Sequence, residues 1–88
     1  MQALSLSGRY LGGPSGLSVL DGSLYVADTW NNRVVRLRTS DLSFVAAVGS
    51  RGSGPNEFRG PTAVASDGTH LYVADTENDR IEKRGAGQ

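Results

Sequence analysis

Leu24-Tyr25-Val26-Ala27-Asp28-Thr29-Trp30-Asn31-Asn32-Arg33-Val34 returns as Leu71-Tyr72-Val73-Ala74-Asp75-Thr76-Glu77-Asn78-Asp79-Arg80-Ile81, at a constant offset of 47 residues. A fixed period of this size marks a repeat architecture, in which one supersecondary unit is copied and stacked. Over residues 13–38 and their counterparts 47 residues on, ten of twenty-six positions are identical.

Working outward, short apolar runs alternate with turn residues. Pro14 lacks a backbone N–H, so the first strand is expected after it, at Leu17–Leu20. Asp21-Gly22 then predicts a hairpin turn, since both residues accept a positive φ. Leu24 to Asp28 is the second strand, apolar enough to be buried on both faces. Trp30-Asn31-Asn32 turns the chain, and Arg33 to Arg38 is a third, more polar strand. Thr39-Ser40-Asp41 turns again into a fourth, Leu42 to Val48. Residues 49–60, with four glycines and Pro55, read as one long loop. The cycle restarts with strands at Thr62–Ala65, Leu71–Asp75 and Arg80–Arg84. Asp67-Gly68 lies one residue earlier than the offset requires, so the second hairpin tip has slid against its flanking strands. No window has helical periodicity.

Composition bounds the function classes. At 88 residues the chain is a single domain at most. Nine basic and nine acidic residues cancel, which removes the usual electrostatic case for nucleic acid or an anionic membrane. There is no cysteine, hence no disulfide framework and no thiolate metal site. Residues 1–7 have neither the basic start nor the apolar run of a secretory signal, and no apolar stretch approaches bilayer length. The compartment is not indicated. Twelve glycines, about twice the usual share, sit between the apolar runs, as in a chain of many strands and turns.

Gly-Pro, a strand, Asp-Gly, then Leu-Tyr-Val-Ala-Asp-Thr and Asn-x-Arg-Val/Ile resembles the NHL repeat. The loop Gly49 to Phe58 is similar to that family's connection between successive repeats. The resemblance implies an all-β fold in which each repeat is one four-stranded antiparallel blade of a β-propeller, most often six-bladed. The chain then divides into an N-terminal strand or closure segment at 2–11, a first repeat at 13–48 and a second at 60–85 that lacks its last strand. Blades are apolar on both faces, so two of them bury one shared interface and leave two faces bare. Closure by identical copies through a heterologous interface is the expected remedy. Three chains give a six-bladed homotrimer, with residues 2–7 pairing to the Arg80–Arg84 strand of a neighbouring copy.

Candidate site residues follow from the repeated stretch. Asp28 with Arg33, and Asp75 with Arg80, are read as structural clamps on the turn between second and third strands, the carboxylate accepting turn amides and pairing with the guanidinium. Asn32 and Asn78 belong to the same clamps, as turn residues that tolerate left-handed backbone. Trp30, Asn31, Arg51, Asn56 and Glu77 form the candidate binding face, with Trp30 as an exposed aromatic anchor. Tyr10, Tyr25 and Tyr72 are assigned to packing between blades. His70, the only histidine, lacks the partners that metal binding or base catalysis needs. The acidic residues do not have calcium-loop spacing. No metal, cofactor or catalytic set is expected. The leading reading is a non-enzymatic, self-assembling propeller module with itself as partner and a loop face open to an unidentified protein or peptide. Two others are set beside it. One is a fragment of a larger protein- or RNA-binding or sensor propeller. The other is a metal-dependent propeller lyase or lactonase, disfavoured because the first strands offer only Ser18 and Thr62.

Overall fold

In the computed structural model, which describes residues 11–85, both copies of the repeated stretch become the second strand of an antiparallel sheet. The first sheet is β1 (Pro14–Leu20), β2 (Ser23–Asp28), β3 (Arg33–Arg38) and β4 (Phe44–Val48), paired in chain order. After β5 (Ser50–Arg51) and β6 (Glu57–Phe58), the second sheet is β7 (Pro61–Ser66), β8 (His70–Asp75) and β9 (Arg80–Gly85), again in chain order. It has three strands among the described residues, against four in the first. The expected strand at 2–7 and its exchange between chains lie outside the described residues.

β-branched and aromatic side chains suit this pleated, half-buried surface. Leu20 pairs with Ser23 around Asp21-Gly22, whose φ values of 50° and 75° make the two-residue turn that matches strand twist. The second hairpin keeps the register of the first, with Ser66 opposite Leu71 as Val19 is opposite Leu24. Its tip is built differently. Asp67 Oδ1 accepts the backbone N–H of Thr69 at 3.0 Å and of His70 at 2.8 Å, so a side chain replaces part of the tight turn. That accounts for the displaced Asp-Gly pair.

Three sequence expectations need correction. Pro14 opens β1 instead of preceding it, because a first strand position needs no donated ladder bond, and the register shift between Pro14 and Gly16 absorbs the irregularity. β4 starts at Phe44, not Leu42: Leu42 takes φ 60° and donates its N–H to Arg38 O, which extends the turn. Residues 49–60 are not a plain loop, since β5 and β6 run parallel, pairing Ser50 with Glu57 and Arg51 with Phe58.

The two sheets stack without closing into a barrel. β7 lies against β1 and β2. Alternation along each strand decides which side chains meet. Tyr25, Val34, Phe58, Val64, Leu71 and Val73 make the core between the sheets, with Leu20 and Val48 partly buried beside it. Val26, Val35 and Leu37 form a second cluster on the far face of the first sheet, joined by Leu11, Leu24 and Phe44. The sheets come closest at their first strands. A Cβ on Gly16 would stand 2.8 Å from the Ala63 Cα, so only glycine fits there without moving β7.

Residues 50–58 are fastened to the second sheet. Arg80 donates to the carbonyls of Ser53 (2.7 Å), Gly54 (3.0 Å) and Glu57 (2.8 Å), and Asn78 Nδ2 donates to Gly52 O at 2.8 Å. Phe58 at its end is fully buried in the core between the sheets.

Candidate functional site

The turns between second and third strands are single 3₁₀ turns, Thr29–Asn31 and Thr76–Asn78, each ending on a left-handed residue, Asn32 (φ 53°) or Asp79 (φ 52°). Asp28 and Asp75 precede them and are wholly buried. Asp28 Oδ2 accepts Arg33 Nε at 2.7 Å and Asn31 Nδ2 at 3.0 Å, while Oδ1 accepts the Gly12 N–H. Asp75 repeats the set with Arg80 Nε at 2.8 Å, Asn78 Nδ2 at 2.8 Å and the Arg59 N–H at 2.7 Å. The sequence predicts that these carboxylates accept turn amides, but the amides bound here are those of Gly12 and Arg59. They belong to the chain arriving before the first strand, sixteen residues away. Each carboxylate therefore ties three segments together, and every partner is a donor, as a buried anion requires. Asn31, not Asn32, is the positional counterpart of Asn78 in this arrangement. Asn32 reaches across instead, its Oδ1 accepting the Gly60 N–H at 2.9 Å.

Around these turns the two sheets leave a cleft of about 280 Å³, lined by Thr29, Trp30, Asn32, Arg51, Arg59, Gly60 and Glu77. Three of the five residues assigned to a binding face, Trp30, Arg51 and Glu77, thus come together. Asn31 is directed to Asp28, and Asn56 Oδ1 accepts Arg84 Nη1 away from the cleft. Trp30 is 79% exposed; its ring lies over Gly13, close enough that a Cβ there would be 3.2 Å from the indole. Arg59 escaped the sequence reading because it lies just outside the recurring motif. The cleft presents an indole, two guanidinium groups and a carboxylate, a set suited to contacting another chain. Among the described residues no group of three or more His, Cys, Asp or Glu side chains could hold a metal ion. His70 stands at the opposite end of the sheet, its Nδ1 3.0 Å from Thr69 Oγ1.

The larger surfaces are the outward faces of the two sheets. On the second sheet, Ile81 is 65% exposed, whereas Val34, its counterpart 47 residues earlier, is 2% exposed in the core between the sheets. On the first, Leu17 is 65% exposed, whereas its counterpart Val64 is 7% exposed. Tyr25 is buried between the sheets as expected, but Tyr72 is only half-buried on the second sheet's outward face, with its hydroxyl donating to Asp67 Oδ2 at 2.7 Å and Lys83 Nζ 5.8 Å from its ring centroid. That hydroxyl, with the Thr69 and His70 amides, holds the Asp67 carboxyl well below the usual carboxylate range.

Compared with known families, residues 11–37 match the model of the NHL repeat. No curated protein matches the chain.

Proposed function

We propose that this chain, whose residues 11–37 match the model of the NHL repeat, is a non-enzymatic β-propeller module that completes its ring with copies of itself. Three chains close six blades, and the turn end of the ring, with Trp30, Arg51, Arg59 and Glu77, is its binding surface. The observation that carries this reading is the contrast at equivalent positions. Ile81 and Leu17 are bare where Val34 and Val64 are covered. Each is therefore on a surface whose twin elsewhere in the same chain already serves as an interface. A face that is covered in one repeat and bare in the other fits head-to-tail stacking, in which the trailing face of one chain meets the leading face of the next.

Solution mass tests it. The chain is 9.3 kDa, so the closed ring sits near 28 kDa, about three times that mass. A well-folded species at the single-chain mass across the concentration range rejects the ring. The same bare faces also fit blades supplied by a longer polypeptide. A chain that aggregates without a defined mass, and becomes soluble when fused to further blades, favours that second reading.

A further inference from the structure

The contact between the two sheets of one chain is held at its turn end by three polar links. Ser15 Oγ donates to Thr62 O at 2.8 Å, Thr29 Oγ1 donates to Pro61 O at 2.7 Å, and the Gly60 N–H donates to Asn32 Oδ1 at 2.9 Å. The two hydroxyl oxygens also lie 2.6 Å apart, but with one proton each they are the donors of the two carbonyl links and add no further bond. Ser15 belongs to β1 and Thr29 and Asn32 to the turn after β2, while the main-chain partners are Pro61 and Thr62 of β7 and Gly60 just before it.

The second sheet carries the same device pointing outward. Forty-seven residues on, Ser15, Thr29 and Asn32 become Thr62, Thr76 and Asp79. Thr62 Oγ1 and Thr76 Oγ1 are again paired, at 2.5 Å, and Asp79 has the left-handed backbone of Asn32. Thr76 and Asp79 are exposed. The matching main-chain groups exist at the other end of the molecule. Gly13 has φ 64°, close to the 57° of Gly60, so the two N–H groups are presented alike. Pro14 and Ser15 stand where Pro61 and Thr62 stand. Around them the apolar positions also correspond: Ile81 for Val34, Tyr72 for Tyr25, Leu17 for Val64 and Leu11 for Phe58.

The geometry points to a latch between copies. Thr76 Oγ1 donates to Pro14 O of a second copy, Thr62 Oγ1 donates to its Ser15 O, and the Asp79 carboxylate accepts its Gly13 N–H. This inference rests on the ring reading and adds the groups that fix register and hand at each junction. Asp79 keeps the acceptor oxygen of Asn32 and makes the bond charge-assisted, hence stronger. One position departs from the pattern. Ala63 occupies the site of Gly16, where any Cβ lies under 3.0 Å from the facing backbone, so the junction between copies is a few tenths of an ångström wider at the first strands.

The test uses the full chain as wild type, Thr76→Val, Asp79→Leu and Asp79→Asn, with mass followed on dilution and exchange of the Gly13 amide followed in the assembled state. Losing one link weakens each junction by about fivefold, and the three-chain dissociation constant by roughly a hundredfold. Thr76→Val and Asp79→Leu are expected to show this, and Asp79→Asn to stay within about threefold of wild type because the acceptor remains. Gly13 exchanges fast in Asp79→Leu and slowly in Asp79→Asn and wild type. If wild type assembles but both weakening variants dissociate at the wild-type concentration with Gly13 still protected, the latch is wrong and the ring stands. If wild type never exceeds the mass of one chain, the ring itself is wrong and the latch falls with it.

Discussion

Tyr25-Val26-Ala27-Asp28 and Tyr72-Val73-Ala74-Asp75 are the same four residues in the same register, yet their surroundings differ. In the first sheet every one of them is buried; in the second, Tyr72 and Ala74 are only half-buried while Val73 and Asp75 are enclosed. Alternation along β8 separates the covered face from the bare one, whereas β2 has lost its alternation because both of its faces are packed. Burial here is a property of the neighbour, and identical side chains report whether that neighbour is present.

The comparison can be broken first at the clamps, where neighbours should not matter. Asp28→Ala and Asp75→Ala each leave an arginine Nε–H, an asparagine Nδ2–H and a backbone N–H without the fully buried carboxylate that accepts them. Each is expected to cost about 3–5 kcal/mol in denaturant unfolding. A mild effect at either site would show that the two turns are not held alike. Next is the close approach of the first strands. Gly16→Ala forces β7 away from β1 and is expected to cost about 1–3 kcal/mol, whereas Ala63→Gly is expected to change the stability of the dilute chain by about 1 kcal/mol or less.

Val34→Ala and Ile81→Ala sharpen the contrast directly. The first removes buried volume and should cost about 2 kcal/mol at any protein concentration. The second should stay within about 0.5 kcal/mol in dilute solution and grow only where chains associate. Equal, concentration-independent losses would mean that Ile81 is covered within its own chain. The smallest effect separates the two hairpin tips. Asp67 has its carboxyl pKa depressed in the folded chain, chiefly by the Tyr72 hydroxyl. Its contribution is therefore full above the ordinary value of 3.8 and is lost as pH falls from there toward the lower folded value. Asp67→Asn should flatten that acid limb of the denaturant midpoint, while Leu20→Ala at the equivalent position should leave its shape unchanged.

Much of this fold is legible in the sequence because strand and turn signals coincide. Arg33–Arg38 is bounded by the Asn-rich turn and by Thr39-Ser40, and β3 occupies those residues. Asp21-Gly22 has one cheap conformation and adopts it. What escapes are features fixed by contacts from a distance. Leu42 in a left-handed conformation contradicts its own preference, so local reading places it in the strand. The Asp28 and Asp75 carboxylates turn toward the incoming chain, which spacing alone does not reveal. Ser15 and Thr29, with Thr62 and Thr76, read as ordinary strand and turn residues until the second sheet lies beside the first. Their hydroxyls at the 47-residue offset were the available signal.

Arg80 binding the carbonyls of Ser53, Gly54 and Glu57 has an evolutionary consequence. The stretch before β7 travels with the sheet that follows it, so the heritable unit starts near residue 50 and not at the first strand. A duplication joint placed beside Gly49 would copy an arginine together with the segment it grips. A joint placed at Pro61 would part them, leaving the Ser53, Gly54 and Glu57 carbonyls without the guanidinium that gathers them.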